Sequence, residues 1–198
     1  MARGPVLVWR CATPWLAISS AALGGGLGER HWVINATVPP GYQRLDPDAH
    51  LADLARAAGL AGAGVWLLTA VDVRQVVHET DGGVRAWVTT GIGAHPTWAA
   101  APHAPTADRV GTINAVCWLP VRLTEAALVN AVATVAEAKA QALAEAGVPG
   151  TGTPTDAVVL LCPPTGPAES FGGPRSLTGG ALARAVHAAV RAGLRTGT

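Results

Sequence analysis

Apolar and polar positions alternate in short runs through most of the chain and switch to a helical spacing in a few longer stretches. Val6–Ala12 and Trp15–Ser20 read as two short strands on either side of Pro14. His31–Val38, Gly64–Thr69, Val84–Thr90, a run from Thr112 closed by Pro120, and Ala157–Cys162 read as further strands, rich in Val, Ile, Leu and Thr. A helix is expected from Pro47 to Leu60, with Asp46 as its N-cap and Pro47 at its first position. Asp72–Glu79 reads as a short helix or turn, and Asp81-Gly82-Gly83 as the turn before the next strand. A long helix is predicted from Thr124, as N-cap, to about Ala146, stopped by Gly147 and Pro149. A last helix covers Ser176–Leu194, with Leu182, Val186 and Val190 on its core side. Strands interleaved with helices define the α/β or α+β class, and nothing marks a boundary, so residues 1–198 are expected to form a single domain.

The long helix has an unusual distribution of side chains. At about 100° per residue, Asn130, Thr134, Glu137 and Gln141 share one narrow stripe. Leu128, Val132, Val135 and Leu143 lie opposite, and Lys139 falls among them. A solvated helix face would carry several Lys, Arg and Glu, and this one carries few. The expectation is therefore a helix covered over much of its surface, with a polar stripe that is either aimed at a site or turned to solvent. Lys139 is the only lysine beside thirteen arginines. Taken alone it fits a stem that covers the helix while its head reaches water, or an ammonium that works in chemistry.

Composition removes several classes of function. A net charge of +1 argues against a nucleic-acid surface, which needs a basic face. No apolar run is long enough for a membrane helix, and Pro5 and Pro14 spoil the start as a signal peptide, so a cytoplasmic location is expected. Cys11, Cys117 and Cys162 are odd in number and show no paired spacing, and the six histidines show no H-x-x-x-H pair, so no metal site or other cofactor is expected. A homo-oligomer is left open. Six of the tryptophans, Trp15, Trp32, Trp66, Trp87, Trp98 and Trp118, lie in strands or loops where some can line a pocket for a large flat ligand. Residues Gly91–Val110 lack periodicity and read as a surface or active-site loop.

Two loops carry candidate chemistry. Ser19-Ser20 leads into Leu23-Gly24-Gly25-Gly26, whose successive N–H groups can cradle an anion or a developing oxyanion; no Lys follows, so it is not a P-loop. Gly150-Thr151-Gly152-Thr153-Pro154-Thr155-Asp156 is rich in hydroxyls and runs into an apolar strand. With Asn35, Leu68-Thr69-Ala70-Val71-Asp72, Gly111-Thr112-Ile113-Asn114, Leu128-Val129-Asn130-Ala131 and Glu137-Ala138-Lys139, these segments resemble the adenosylcobinamide amidohydrolases of corrinoid salvage, from about Trp15 to Leu194. One departure is His95 before Pro96, where the family tends to carry Asn. A second similarity covers about fifty residues. Gly-hydroxyl-strand, long helix, Gly-rich turn with Asp and strand is similar to part of the DmpA-type aminopeptidases and ornithine acetyltransferases. It implies a layered sandwich of β-sheets flanked by helices.

The first resemblance implies hydrolysis of the amide between the corrin side chain and the aminopropanol arm of adenosylcobinamide. Ser19, Ser20, Gly24, Gly25, Asn35, Asp72, Asn114, Asn130, Thr134, Thr151 and Thr153 are then the expected substrate-binding residues. Amide hydrolysis needs a nucleophile, donors for the oxyanion and an acid for the leaving amine. Thr112 is the first candidate nucleophile, with Asn114 or the Gly24–Gly26 amides for the oxyanion. Glu137 or Lys139 can move protons, oriented by Asp156. The alternative is attack by water, with Asp72, Glu137 or Asp156 as base. Two other readings stay open: a corrinoid-binding protein without catalysis, and a peptidase that cleaves itself between Gly111 and Thr112.

Overall fold

The computed structural model describes residues 4–39, 47–93, 96–100 and 111–196; Asp46, His95 and His103 lie outside them. The strands are β1 (Val6–Ser19), β2 (Gly26–Thr37), β3 (Gly64–Thr69), β4 (Val77–Asp81), β5 (Val84–Gly91), β6 (Thr112–Trp118), β7 (Arg122–Leu123), β8 (Ala157–Cys162) and β9 (Ala168–Glu169). The helices are α1 (Pro47–Ala57), α2 (Glu125–Glu145) and α3 (Leu177–Thr196). Seven strands form one mixed sheet in the order β3-β2-β1-β8-β6-β5-β4, while β7 and β9 pair separately. The result is an α+β layered fold.

One sheet face is covered by α2 and α3. Val84, Ala86 and Val88 of β5, with Ile113, Ala115 and Cys117 of β6, meet Leu128 and Val135 of α2 and Leu182, Val186 and Val190 of α3. Alternation along each strand then sends the intervening side chains to the other face. There Val116, Val159 and Leu161 meet Ala17, Val33, Val65 and Leu67 from β1, β2 and β3. The sheet curls on itself to do this: Asn35 of β2 reaches Thr89 of β5 at 3.1 Å, and the Trp9 and Trp87 rings lie 6.1 Å apart. The two layers expected of a sandwich are therefore supplied by one curled sheet. Because it is covered on both sides, β6 is buried from Thr112 to Cys117.

Several elements differ from the sequence expectations: β2 begins at Gly26, α1 ends at Ala57, and β7 and β9 are unexpected. The Pro14 break is a register irregularity between Arg10 and Trp15 inside one strand, because both halves of β1 pair with the continuous β2. The stretch expected as a short helix or turn is a single 3-10 turn, Val73–Gln75, followed by β4. Gly82 and Gly83, at φ 51° and 82°, close the β4–β5 hairpin with two consecutive left-handed residues, which only glycine adopts easily. The start of α2 is as expected, with the Thr124 hydroxyl accepting the Ala127 N–H at 3.2 Å.

Candidate active site

Gly111 and Thr112 stand at the N-terminal end of β6, where Thr112 pairs with Gly91 of β5. The 150–156 loop folds against this strand end and brings its hydroxyls onto it. Thr155 Oγ1 donates to the Gly111 carbonyl at 2.9 Å, and Thr153 Oγ1 lies 2.8 Å from the same oxygen. Thr112 Oγ1 lies 2.7 Å from Thr155 Oγ1. Since the Thr155 proton goes to Gly111, Thr112 is the donor in that contact. Thr112 is 5% exposed, and among the described residues its hydroxyl has no carboxylate partner.

Asp156 is the hub of the loop. Its Oδ1 accepts the Ile113 N–H at 2.8 Å and the Thr153 hydroxyl, while Oδ2 accepts the Thr153 N–H at 3.0 Å and a hydrogen bond from Lys139 Nζ. Four donors occupy the roughly four lone-pair directions of a carboxylate. Lys139 thus turns inward to an ion pair, the two side chains being 17% and 14% exposed, instead of carrying its head out to water. A Cβ on Gly152 would sit 2.5 Å from Lys139 Nζ, so the ammonium packs directly over that glycine. On the α2 side, Lys139 and Asp156 border an apolar pocket of about 170 Å³ between the sheet and helices α2 and α3. Ser20 lies at the same pocket, its Oγ accepting the Val158 N–H at 3.0 Å.

A second polar group lies buried inside the curl of the sheet. Asn35 donates to Thr89, and Asn114 Nδ2 donates to Asn35 Oδ1 and to the Leu68 carbonyl, each at 3.0 Å. Both amide protons of Asn114 are taken, so it has none for an oxyanion, while its Oδ1 is buried without a partner among the described residues.

The sequence-predicted residues divide accordingly. Thr112, Lys139, Thr153 and Asp156 come together, with Ser20 lining the same pocket, and Asn35 and Asn114 form their own network. Ser19 is buried at the end of β1 and accepts the Ala21 N–H. Thr151 pins the 96–100 segment, accepting the Ala99 N–H at 3.1 Å while Thr97 pairs with Gly152, which leaves Trp98 55% exposed beside the loop. Glu137 is not brought to the cluster. It is exposed on α2, about 200° around the helix from Lys139. Asn130 is exposed as well, and Thr134 donates to the Gly172 carbonyl at 2.8 Å, fastening the loop before α3. Asp72 caps the 3-10 turn and is held by Arg74, whose guanidinium lowers its pKa through hydrogen bonds. The Gly24 and Gly25 carbonyls receive the Arg30 guanidinium, and Leu23 bridges to Trp66 of β3, which ties this tip to the β3 edge strand. Thr155, beside Asp156 in the same loop, joins Thr112 to the Gly111 carbonyl and adds to the predicted residues.

Three tryptophan pairs, Trp9–Trp87, Trp15–Trp118 and Trp32–Trp66, pack edge to face, which accounts for much of the aromatic content as core. Burial pushes the Cys117 thiol up to about 12 and the Cys11 thiol to about 11, and raises Cys162. Iodoacetamide at pH 8 is therefore expected to leave activity intact; rapid inactivation matched by modification of Cys117 or Cys162 would reinstate a thiol nucleophile. Among the described residues no three His, Cys, Asp or Glu side chains gather as metal ligands, and no helix is long and apolar enough to cross a membrane.

The proteins this chain is similar to are amide hydrolases, and the chain falls in that class. The chain belongs to the adenosylcobinamide amidohydrolase family, whose model matches residues 2–198. An adenosylcobinamide amidohydrolase of Methanosarcina mazei is 30% identical over 184 residues, covering 88% of each chain. One of Halobacterium salinarum is 34% identical over 195 residues, covering 94% of this chain and 84% of its own. Among solved structures, the PH0078 protein from Pyrococcus horikoshii OT3 aligns with a TM-score of 0.48 at 13% identity, over 98% of this chain and 78% of its own.

Proposed function

We propose that this chain hydrolyses the amide joining the corrin side chain to the aminopropanol arm of adenosylcobinamide, giving adenosylcobyric acid and aminopropanol in corrinoid salvage. Family membership supports the substrate, and the Lys139–Asp156–Thr153 linkage supports the chemistry. The exposed Trp98 offers a surface for the flat corrin half beside the 150–153 segment. The same reading assigns the reaction to the cytoplasm, where the three unpaired cysteines persist.

In this reading water attacks the amide carbonyl. The Thr153 hydroxyl has one proton and two acceptors, Asp156 Oδ1 and the Gly111 carbonyl. When it donates to Gly111, a lone pair of Asp156 is released to take a proton from the attacking water. The carbonyl carbon gains a C–O bond, and collapse of the tetrahedral intermediate breaks the C–N bond as Lys139 gives a proton to the departing nitrogen. Asp156 then returns its proton to Lys139 across the ion pair, and the net reaction consumes one water. Thr112 is the weaker candidate for attack, because its proton goes to Thr155, which offers no base.

The test is product analysis. Purified protein is incubated with adenosylcobinamide, with and without a chelator, and aminopropanol is expected at the same rate in both. Binding without turnover would favour a non-catalytic corrinoid carrier. Thr112→Val should keep near-normal turnover, and the chain should run as one band on a denaturing gel. Two fragments split before Thr112, or loss of turnover by orders of magnitude in a folded Thr112→Val protein, would return Thr112 to the role of nucleophile.

A further inference from the structure

We infer that the pocket beside Lys139 receives the leaving amino alcohol, and that Val132 and Ala136 set the length of arm it accepts; this rests on the amidase reading. The pocket's volume, about 170 Å³, decides which half of the substrate can enter. Pockets that bury drug-sized ligands span roughly 300–1,000 Å³, so a corrin with its axial adenosyl group is far too large. A short amino alcohol fits.

The wall chemistry agrees with that assignment. Val132, Val135 and Ala136 of α2 form one wall, Val186 and Val190 of α3 a second, and Ile113 of β6 a third. The three α2 residues share one helical face with Lys139, at spacings of three and four. Such walls suit the carbon skeleton and methyl group of aminopropanol. Polar groups bordering the pocket are Ser20, Lys139 and Asp156. The departing nitrogen must lie at Lys139 Nζ to take its proton, so what hangs from that nitrogen extends into the apolar space. Ser20 Oγ already accepts the Val158 N–H, and its own proton remains to donate to the hydroxyl of the arm.

Ala136 is exposed and Val132 half-buried, so both can change size with the fold intact. Leucine is nearly as good a helix former as alanine, which suits Ala136→Leu. The experiment compares kcat/KM for adenosylcobyric acid amides of ethanolamine, 1-amino-2-propanol and a longer amino alcohol, in the wild-type protein, Val132→Ala and Ala136→Leu, with circular dichroism to verify folding. One methylene in an apolar pocket changes kcat/KM by about tenfold or more. Val132→Ala should therefore shift preference toward the longer arm, and Ala136→Leu toward ethanolamine, each by about that factor. Equal arm preference in all three folded proteins overturns the pocket assignment while leaving the amidase reading standing. Failure of the wild type to cleave any of the amides overturns the amidase reading and the pocket assignment with it.

Discussion

Lys139→Ala is expected to give a folded protein whose turnover of adenosylcobinamide falls by about 10²–10⁴-fold, the usual contribution of a positioned acid. The substitution leaves alanine, the best helix former, in the middle of α2, so helix propensity does not oppose it. What it removes is the ammonium over Gly152 that Asp156 holds beside the pocket. The same deletion leaves a space shaped like a short alkylammonium, with the carboxylate still in place to hold one. Ethylammonium added to Lys139→Ala should restore part of the lost rate, while tetramethylammonium, which has no proton to give, should restore none. Lys139→Arg is not expected to substitute, because guanidinium is larger than the space over Gly152 and does not surrender its proton. If Lys139→Ala turned over normally, or if both cations rescued equally, Lys139 would be a structural partner of Asp156 and nothing more.

Much of this arrangement can be read before any coordinates exist, and the parts that cannot share a physical cause. The cap at Thr124, the run of α2 and the strand β8 follow from local signals, a hydroxyl before a periodic run and a short β-branched stretch. Lys139 stands out in the sequence as the only lysine, on an apolar helix face, and Asp156 as a carboxylate that can orient it, but the ion pair that turns the ammonium inward is seen only in the fold. Glu137 illustrates the opposite case. Helical periodicity says which side chains share a stripe, but not whether water or protein covers it. Here Asn130, Glu137 and Gln141 meet water, Thr134 meets a loop carbonyl, and the ammonium that meets a carboxylate came from the apolar side. The curl that brings Asn35 of β2 to Thr89 and Asn114 is likewise invisible in strand patterns. It depends on how far the twist of one sheet accumulates, and the contacting residues are 54 and 79 positions apart.

Asp156→Ala should be the most damaging single change to stability as well as to activity. It orphans the Ile113 and Thr153 amides and the Lys139 ammonium together, and leaves the Thr153 hydroxyl only the Gly111 carbonyl. Breaking a buried ion pair from one side typically costs about 3–5 kcal/mol. The pair here keeps a small exposed fraction, so the lower end of that range applies. For a domain of this size that corresponds to a drop in Tm of about 6–12 °C. Asp156→Asn is not a rescue, because its amide would turn two protons toward the Thr153 N–H or the Lys139 ammonium, placing donor against donor. The two predictions of large effect are coupled, and the coupling is measurable. Much of the damage in Asp156→Ala comes from leaving Lys139 charged and unpaired, so removing the ammonium first should soften it. The double variant Lys139→Ala/Asp156→Ala should therefore be more stable than the sum of the single losses predicts, by about 1–3 kcal/mol. Denaturant unfolding of the four proteins closes this cycle. Losses that add to within about 0.5 kcal/mol would mean that the ammonium and carboxylate contribute independently, and would remove the ion pair as the device that orients Lys139.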